Sequence, residues 1–455
     1  MFAKINFHDE FYQKLKLLVL PITMQQFMLA LVSATDAIML GAVSQTSLSA
    51  VSLAGQIQFV LNLFISGISA GSGIMAAQYW GKKDAASIEE VMPIALRTNL
   101  IFSGAFTVFA AVAPEVLMRI FTSDSALIES GAVYLRAVSL SYLLCGISQI
   151  YLILLKNTGY ATVSSRISCT AVVVNIICNA ILIYGLLGLP ALGIQGAAYA
   201  TVAARLVELI WSYLETKQSG RVQIIWKKMF RAADAVLTKD FWRYTTPVLG
   251  AALVWGIAYV SYSVIMGHMG SNAVAANSIT TIAKNMLSCL IRGVSGGAGV
   301  LIGNLLGAGE LDKAKVYGGR LTRMAIVVGM TTGGLLMLIS PLIVRFAPLS
   351  ETAAEYLQYM LIFCGCNIMA QSVNTTVLDG IFCAGGDSKF DMKGNLGAMW
   401  CFSVPFGFFA AFVLKWPVMV VYCIVNLDEI VKIPAVYLHY KKYIWVRNIT
   451  VQEDA

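Results

Sequence analysis

Long apolar stretches, each close to the roughly 20 residues an α-helix needs to cross a bilayer, recur from one end of this 455-residue chain to the other. No other feature constrains the fold as strongly. Inside a bilayer every backbone N–H and C=O must be satisfied within its own segment or within a closed barrel, and stretches of this length select helices. Twelve such spans are expected, at 15–42, 50–77, 93–115, 132–155, 166–188, 192–214, 243–268, 276–303, 321–346, 355–380, 395–414 and 417–440. Only 12% of residues are charged and 58% are hydrophobic, against about 25% charged in an ordinary soluble domain. The N-terminus MFAKINFHDEFYQKLK lacks the pattern of a cleavable signal peptide and leads directly into the first span.

The net charge of +8 could indicate a nucleic-acid partner. Its distribution argues otherwise. With the N-terminus placed inside and every span crossing, 24 Lys and Arg residues fall in inside segments or at the inner ends of spans, and four, Arg119, Arg136, Arg345 and Lys415, fall in outside segments or at outer ends. By the positive-inside rule both termini are expected in the cytoplasm of a multi-pass inner-membrane protein, with the lipid bilayer as its environment and no nucleic acid as partner. The nine cysteines show neither disulfide-framework nor zinc-site spacing, and no Gly-rich stretch has the phosphate-loop pattern. His8, His268 and His439 fall near chain or helix ends, and no nucleophile has a base beside it, so an enzyme is disfavoured. No cofactor is expected.

Residues 21–88 align without gaps on residues 247–314, at a constant shift of 226. Pro21 falls on Pro247, Gly67 on Gly293, Gly71 on Gly297, Gly73 on Gly299 and Gly81 on Gly307. The chain therefore reads as two related halves of six helices each, and an even number makes the repeats parallel, related by a pseudo-twofold axis along the membrane normal. The expected organisation is a six-helix half at 1–214, a polar cytoplasmic linker at 215–241, a second half at 242–440 and a tail at 441–455. The fold class is all-α integral membrane, with two six-helix bundles. Gly67, Gly71, Gly293 and Gly297 are expected to permit close helix contact.

The motifs AAQYWGKKD (76–84) and IGNLLGAGELDKAK (302–315), each after a Gly-rich helix, are similar to the multidrug and toxic compound extrusion (MATE) family. So are NIICNAILIYG (175–185), GIQGAAYAT (193–201) and CAGGDSKF (383–390), and the likeness covers essentially the whole chain. The C-terminal stretches DEIVK and WVRN resemble Gram-positive bacterial members. The resemblance implies a secondary exporter of small organic compounds, driven by proton or sodium entry through alternating access.

A charged side chain at the centre of a membrane helix costs roughly 2.5–3.5 kcal/mol on insertion scales, and it marks a functional site by default. Asp36, in LVSATDAIMLG, is such a residue. It is expected to bind the coupling proton or sodium ion, the alternative being a structural carboxylate bonded to neighbouring helices. Pro21, on the same helix, permits a bend. Asn175 and Asn179 share one helix face at i, i+4, and Thr201 adds a hydroxyl; these positions match the family's N-terminal-half cation site. Many relatives carry Asp where Asn179 stands, which lowers the charge of the site, weakens the case for sodium and favours a proton on Asp36.

Lys284 and Arg292 are misplaced positive charges in the eighth span, and Gln58 and Ser66 occupy the repeat-equivalent positions. They are candidates to pair with acidic side chains such as Asp36 or Asp379, to gate or tune proton release, or to bind an anionic or zwitterionic substrate, and at least one is expected to face a cavity. Asp379 is expected to cap or gate near a helix end. Two acid–base pairs, Asp428 with Lys432 and Arg205 with Glu208, are expected to be local, within one helix. The leading reading is a monomeric, cation-coupled antiporter of small amphipathic compounds. Its rival on the same fold is a flippase or exporter of an anionic or lipid-linked substrate, and a non-transporting membrane sensor is the reading from another class.

Overall fold

In the computed structural model of the chain, residues 9–231, 234–347 and 349–451 are described, with the side chains of Ser33, Ala34 and Ala37 excepted; His8 lies outside them. No strand occurs among the described residues. The helices are α1 (Glu10–Val43), α2 (Gln45–Gly81), α3 (Ala85–Val112), the short α4 (Pro114–Arg119), α5 (Ser125–Asn157), α6 (Ala161–Tyr184), α7 (Ile194–Thr216), the short α8 (Trp226–Met229), α9 (Ala235–Gly267), α10 (Ser271–Gly307), α11 (Leu311–Phe346) and α12 (Glu351–Thr375). A π-helical turn, Thr376–Phe382, extends α12. Then come α13 (Ser388–Asn395), α14 (Val404–Phe408), α15 (Val418–Val425) and α16 (Asp428–Tyr440), with π-helical stretches at Leu396–Ser403 and Phe409–Val413.

Helix starts are fixed where the sequence supplies a side-chain acceptor for the free N–H groups of the first turn. Asp84 accepts from Ser87 N, Asp124 from Ala126 N and Leu127 N, and Ser350 from Ala353 N. Gly185 ends α6 at φ 70°, the left-handed conformation a helix stop requires.

Among the described residues ten helices are long and apolar enough to cross a membrane, two fewer than the spans expected. The segment at 192–214 is helical as α7, but Gln195, Arg205 and Glu208 dilute its apolar character. The last expected span, 417–440, is broken: α15 ends at Val425 and α16 restarts at Asp428. Two acids in the first turn of α16 favour a new helix N-terminus there, and the Asn367 amide bonds the carbonyl of Asn426 at the break.

The chain divides into two compact units. One comprises Met24–Trp80 and Asp84–Leu249; the other comprises the segment up to Thr23, Gly81–Lys83 and Gly250 onward. The division falls within α1 and α9 at positions 226 residues apart, the shift of the sequence repeat. Pro21 and Pro247 each lie two residues before it, inside continuous helix.

In the first unit α5 packs on α3 and α7 around a core that includes Leu61, Leu135, Val138 and Tyr142. Its Gly71 sits so close to α9 that a Cβ there would stand 2.5 Å from Thr245 Oγ1 and 2.7 Å from Thr245 Cα. The segment between the halves belongs to this unit: Trp226 Nε1 donates to Tyr151 Oη at 2.7 Å, and Lys228 pairs with Glu90 at 2.7 Å. In the second unit α10, α11, α12 and the first turns of α1 enclose Phe11, Leu301, Leu321, Phe382 and Trp445. A Cβ on Gly297 would stand 2.9 Å from Val19 Cγ2, and one on Gly293 would clash with Thr23. The repeated glycines make close approaches in both units.

Candidate ion-coupling site

Asp36 is partly buried on α1, and Asn179 Nδ2 on α6 donates to its Oδ1 at 2.5 Å. The same amide donates to Asn175 Oδ1 at 3.2 Å, one turn earlier on α6. Asn175 Nδ2 in turn reaches Thr201 Oγ1 on α7 at 3.5 Å, and Thr201 donates to Ala197 O at 3.0 Å. All four residues singled out in the sequence therefore form one chain of contacts across α1, α6 and α7.

Asn175 and Asn179 are 5% and 0% exposed, and amides buried to this degree in a membrane protein require partners. The i, i+4 spacing supplies one partner within α6, and Asp36 supplies the other. Asn179 Oδ1 is buried and has no hydrogen-bond partner among the described residues. Tyr134 on α5, which sequence reading passed over, lies within electrostatic reach of Asp36 and beside Thr201. An aromatic in an apolar helix resembles ordinary packing, so nothing in the sequence distinguished it.

Chemically, the arrangement presents one carboxylate that, among the described residues, has a single N–H donor on one oxygen. A proton can bind to such a carboxylate without further rearrangement. A hard cation needs several oxygen ligands. Rotating the Asn179 amide by half a turn would turn Oδ1 toward Asp36 and place it with Asn175 Oδ1 and Thr201 Oγ1 as an oxygen set from three helices. The residues present therefore fit either a proton or a sodium ion.

A second polar centre in the same unit was expected to be local and is not. Arg205 pairs with Glu208 at 2.6 Å on α7. Glu208, 1% exposed, also accepts from Ser148 on α5 at 3.2 Å and from Ser168 on α6 at 3.4 Å, and Gln25 on α1 donates to Ser168 at 2.8 Å. One carboxylate joins three helices directly and a fourth through Ser168.

The other unit holds a counterpart on α16. Lys432 donates to Glu429 Oε1 at 3.0 Å and to Asn395 Oδ1 at 3.1 Å, while Asp428 is 3.8 Å away. The expected Asp428–Lys432 pair is thus the weaker contact. Asn395 also donates to Asp391 at 3.0 Å, and Asn374 on α12 donates to Glu429 Oε2 at 2.8 Å. All of these side chains are buried. A helical i, i+3 pattern shows that two charges share a face; it does not show what the face meets.

Lys284 is partly buried and Arg292 exposed, and neither forms an ion pair among the described residues. Lys284 lies within electrostatic reach of Asp428 and Glu429, and Arg292 within reach of Asp379. Asp379, expected near a helix end, lies in the π-helical turn Thr376–Phe382 that ends its span, exposed, with Asp391, Lys432 and Glu429 in electrostatic reach.

The MatE family model matches residues 21–181 and 247–409. "Uncharacterized transporter YisQ" of Bacillus subtilis strain 168 is 22% identical over 417 residues, covering 91% of this chain and 90% of that protein. "Probable multidrug resistance protein YoeA" of the same organism is 21% identical and covers 86% of this chain and 84% of that one. Among solved structures, a MOP superfamily transporter from Pyrococcus furiosus superposes with a TM-score of 0.86 at 18% identity, covering 95% of each chain, a likeness of fold. With two matched segments that begin 226 residues apart and together span most of the chain, this protein belongs to the MatE family of multidrug and toxic compound extrusion transporters.

Proposed function

We propose that this transporter exports small amphipathic organic compounds by alternating access, coupled to cation entry at Asp36. The observation that carries the reading is the 2.5 Å contact between Asp36 and Asn179, continued through Asn175 to Thr201. A membrane-embedded carboxylate is costly unless it is compensated or used, and here it has one amide donor and no cationic partner within ion-pair distance among the described residues. The proton is the preferred coupling ion, because Asp36 is the only carboxylate in the constellation. Sodium is the second reading, favoured by the unpartnered Asn179 Oδ1.

In this cycle an outward-open protein takes up a proton at Asp36. Neutralising the carboxylate weakens its pull on the Asn179 amide, and α1 is freed to rearrange around Pro21, where the backbone lacks one N–H donor. Substrate leaves outward, and the inward-open state returns the proton to the cytoplasm. The 24-to-4 asymmetry of basic residues supports cytoplasmic termini, and the ungapped repeat supports two six-helix halves about an axis along the membrane normal. A monomer is the form this reading assigns to the transporter. An anionic or lipid-linked cargo on the same fold is the competing reading, favoured by Lys284 and Arg292, which lack ion-pair partners among the described residues.

The test is uptake of a fluorescent cationic drug into proteoliposomes under imposed proton or sodium gradients. Wild type should be driven by the proton gradient, and Asp36→Asn should bind drug without responding to it. Full gradient-driven uptake by Asp36→Asn would sink the role of Asp36. No cationic uptake by folded wild type would bring the anionic cargo forward.

A further inference from the structure

An apolar groove of about 520 Å³ lies between α11, α12 and α16, within the size range of small-molecule sites. Ile326 and Met330 of α11, Cys366 and Val373 of α12, and Ile433 and Val436 of α16 form its walls. Along α16 the lining runs from Ile430 to Tyr440, an advance of about 15 Å at roughly 1.5 Å per residue. That is half of the about 30 Å hydrocarbon core, the depth of a single leaflet.

The two ends of the groove differ. At the end where α16 finishes, Tyr437, Tyr440 and Thr322 line it, tyrosines being typical of the membrane–water interface. Exposed basic residues stand beside them. Lys441 Nζ lies 4.4 Å from the centre of the Tyr437 ring, Arg323 is within electrostatic reach of Tyr440, and Lys442 follows on the same exposed turn. The nearby acid Asp387 is engaged by His439 at 2.6 Å. Among the described residues no acidic side chain lines the groove. At the wall, Asn374 borders the groove and holds Glu429, so an occupant would touch the residue that positions the α16 charge network.

We propose that this groove binds an anionic phospholipid, with one acyl chain lying along α16 between α11 and α12 and the phosphate held by Arg323 and Lys441. An apolar wall one leaflet deep with a cationic, aromatic mouth matches the two ends of such a lipid. A drug-like cation would meet the wrong charge at the mouth. The lipid would be a bound regulator of the charge network, separate from the exported cargo and from the cation taken up at Asp36.

The full chain in detergent, titrated with phosphatidylglycerol or phosphatidylcholine and followed by native mass spectrometry, tests this. Phosphatidylglycerol should bind more tightly. The double variant Arg323→Gln/Lys441→Gln should lose that preference, by about fivefold for each basic residue removed. Met330→Trp, which fills the groove from an exposed position, should reduce bound lipid, whereas Leu338→Trp, exposed on α11 outside the lining, should not. Equal binding of the two lipids by wild type would overturn the proposal, as would unchanged binding in Met330→Trp. Because none of these residues lies at the Asp36 site, gradient-driven uptake can fail or persist independently of the lipid result.

Discussion

Replacing Lys432 by Met keeps an unbranched side chain one heavy atom shorter and removes its charge. In the native protein this ammonium is 5% exposed and faces Glu429 Oε1 at 3.0 Å, Asn395 Oδ1 at 3.1 Å and Asp428 Oδ2 at 3.8 Å. The side chains of Glu429 and Asp428 are 12% and 8% exposed, so neither carboxylate can recover its lost interaction from bulk water. Removing one member of such a buried pair costs about 3–5 kcal/mol, chiefly because the other charge is left uncompensated. An exposed pair provides the comparison: Arg136 and Glu115, 2.9 Å apart, are 57% and 46% exposed, and Arg136→Gln should change stability by about 0–1 kcal/mol. The assay is unfolding in mixed micelles followed by intrinsic fluorescence at constant lipid content. Lys432→Met should lose several times what Arg136→Gln loses. Lys432→Met/Glu429→Gln should regain much of the loss, because the residual charge is then smaller. The loss should also shrink at acidic pH, where protonation removes the unpaired charge. A Lys432→Met protein as stable as Arg136→Gln would refute the reasoning, since the network would then be contributing no more than a solvated pair.

Three further outcomes follow from the geometry. Asn179→Asp places two carboxylates where a 2.5 Å amide contact stands; their repulsion should require a bound cation, so drug uptake should become sodium-stimulated, and uptake indifferent to sodium would count against the oxygen set. Gly71→Ala forces a Cβ against Thr245 and should destabilise by about 1–3 kcal/mol, whereas Gly55→Ala, with nothing within 4 Å, should stabilise by up to about 1 kcal/mol through helix propensity; equal effects in the same unfolding assay would contradict the packing argument. The Asp9 carboxyl, ahead of α1, is held below its usual range by the Phe11 backbone N–H and then by Arg320, 2.5 Å away. A group with a depressed folded-state value contributes stability above its unfolded value and loses it as pH falls through the folded one, so a carbon-13 titration of Asp9 should give a midpoint below the roughly 3.9 of free Asp, and Arg320→Gln should raise it.

The sequence alone specified a membrane-spanning, all-helical chain, because apolar length and the need to satisfy backbone groups in lipid are properties read residue by residue. It also specified the 226-residue repeat and the Asp36, Asn175, Asn179 and Thr201 set. There a lone intramembrane carboxylate and a helical i, i+4 amide pair are local signals, and the family likeness tied them to Thr201. The tertiary structure decided what those local signals meet. Glu208, Glu429 and Lys432 look like members of simple helical pairs until Ser148 and Ser168 are brought to Glu208, Asn374 to Glu429 and Asn395 to Lys432 from other helices. At the break in the last span between Val425 and Asp428 the Asn367 amide bonds the freed carbonyl of Asn426, and where the π-helical turn that holds Asp379 begins, Ser295 of α10 donates to the Thr375 carbonyl. Periodicity records which face of a helix a side chain occupies. The partner on that face is set by contacts between residues as far apart in the chain as Gln25 and Ser168, and these exist only once the helices have packed.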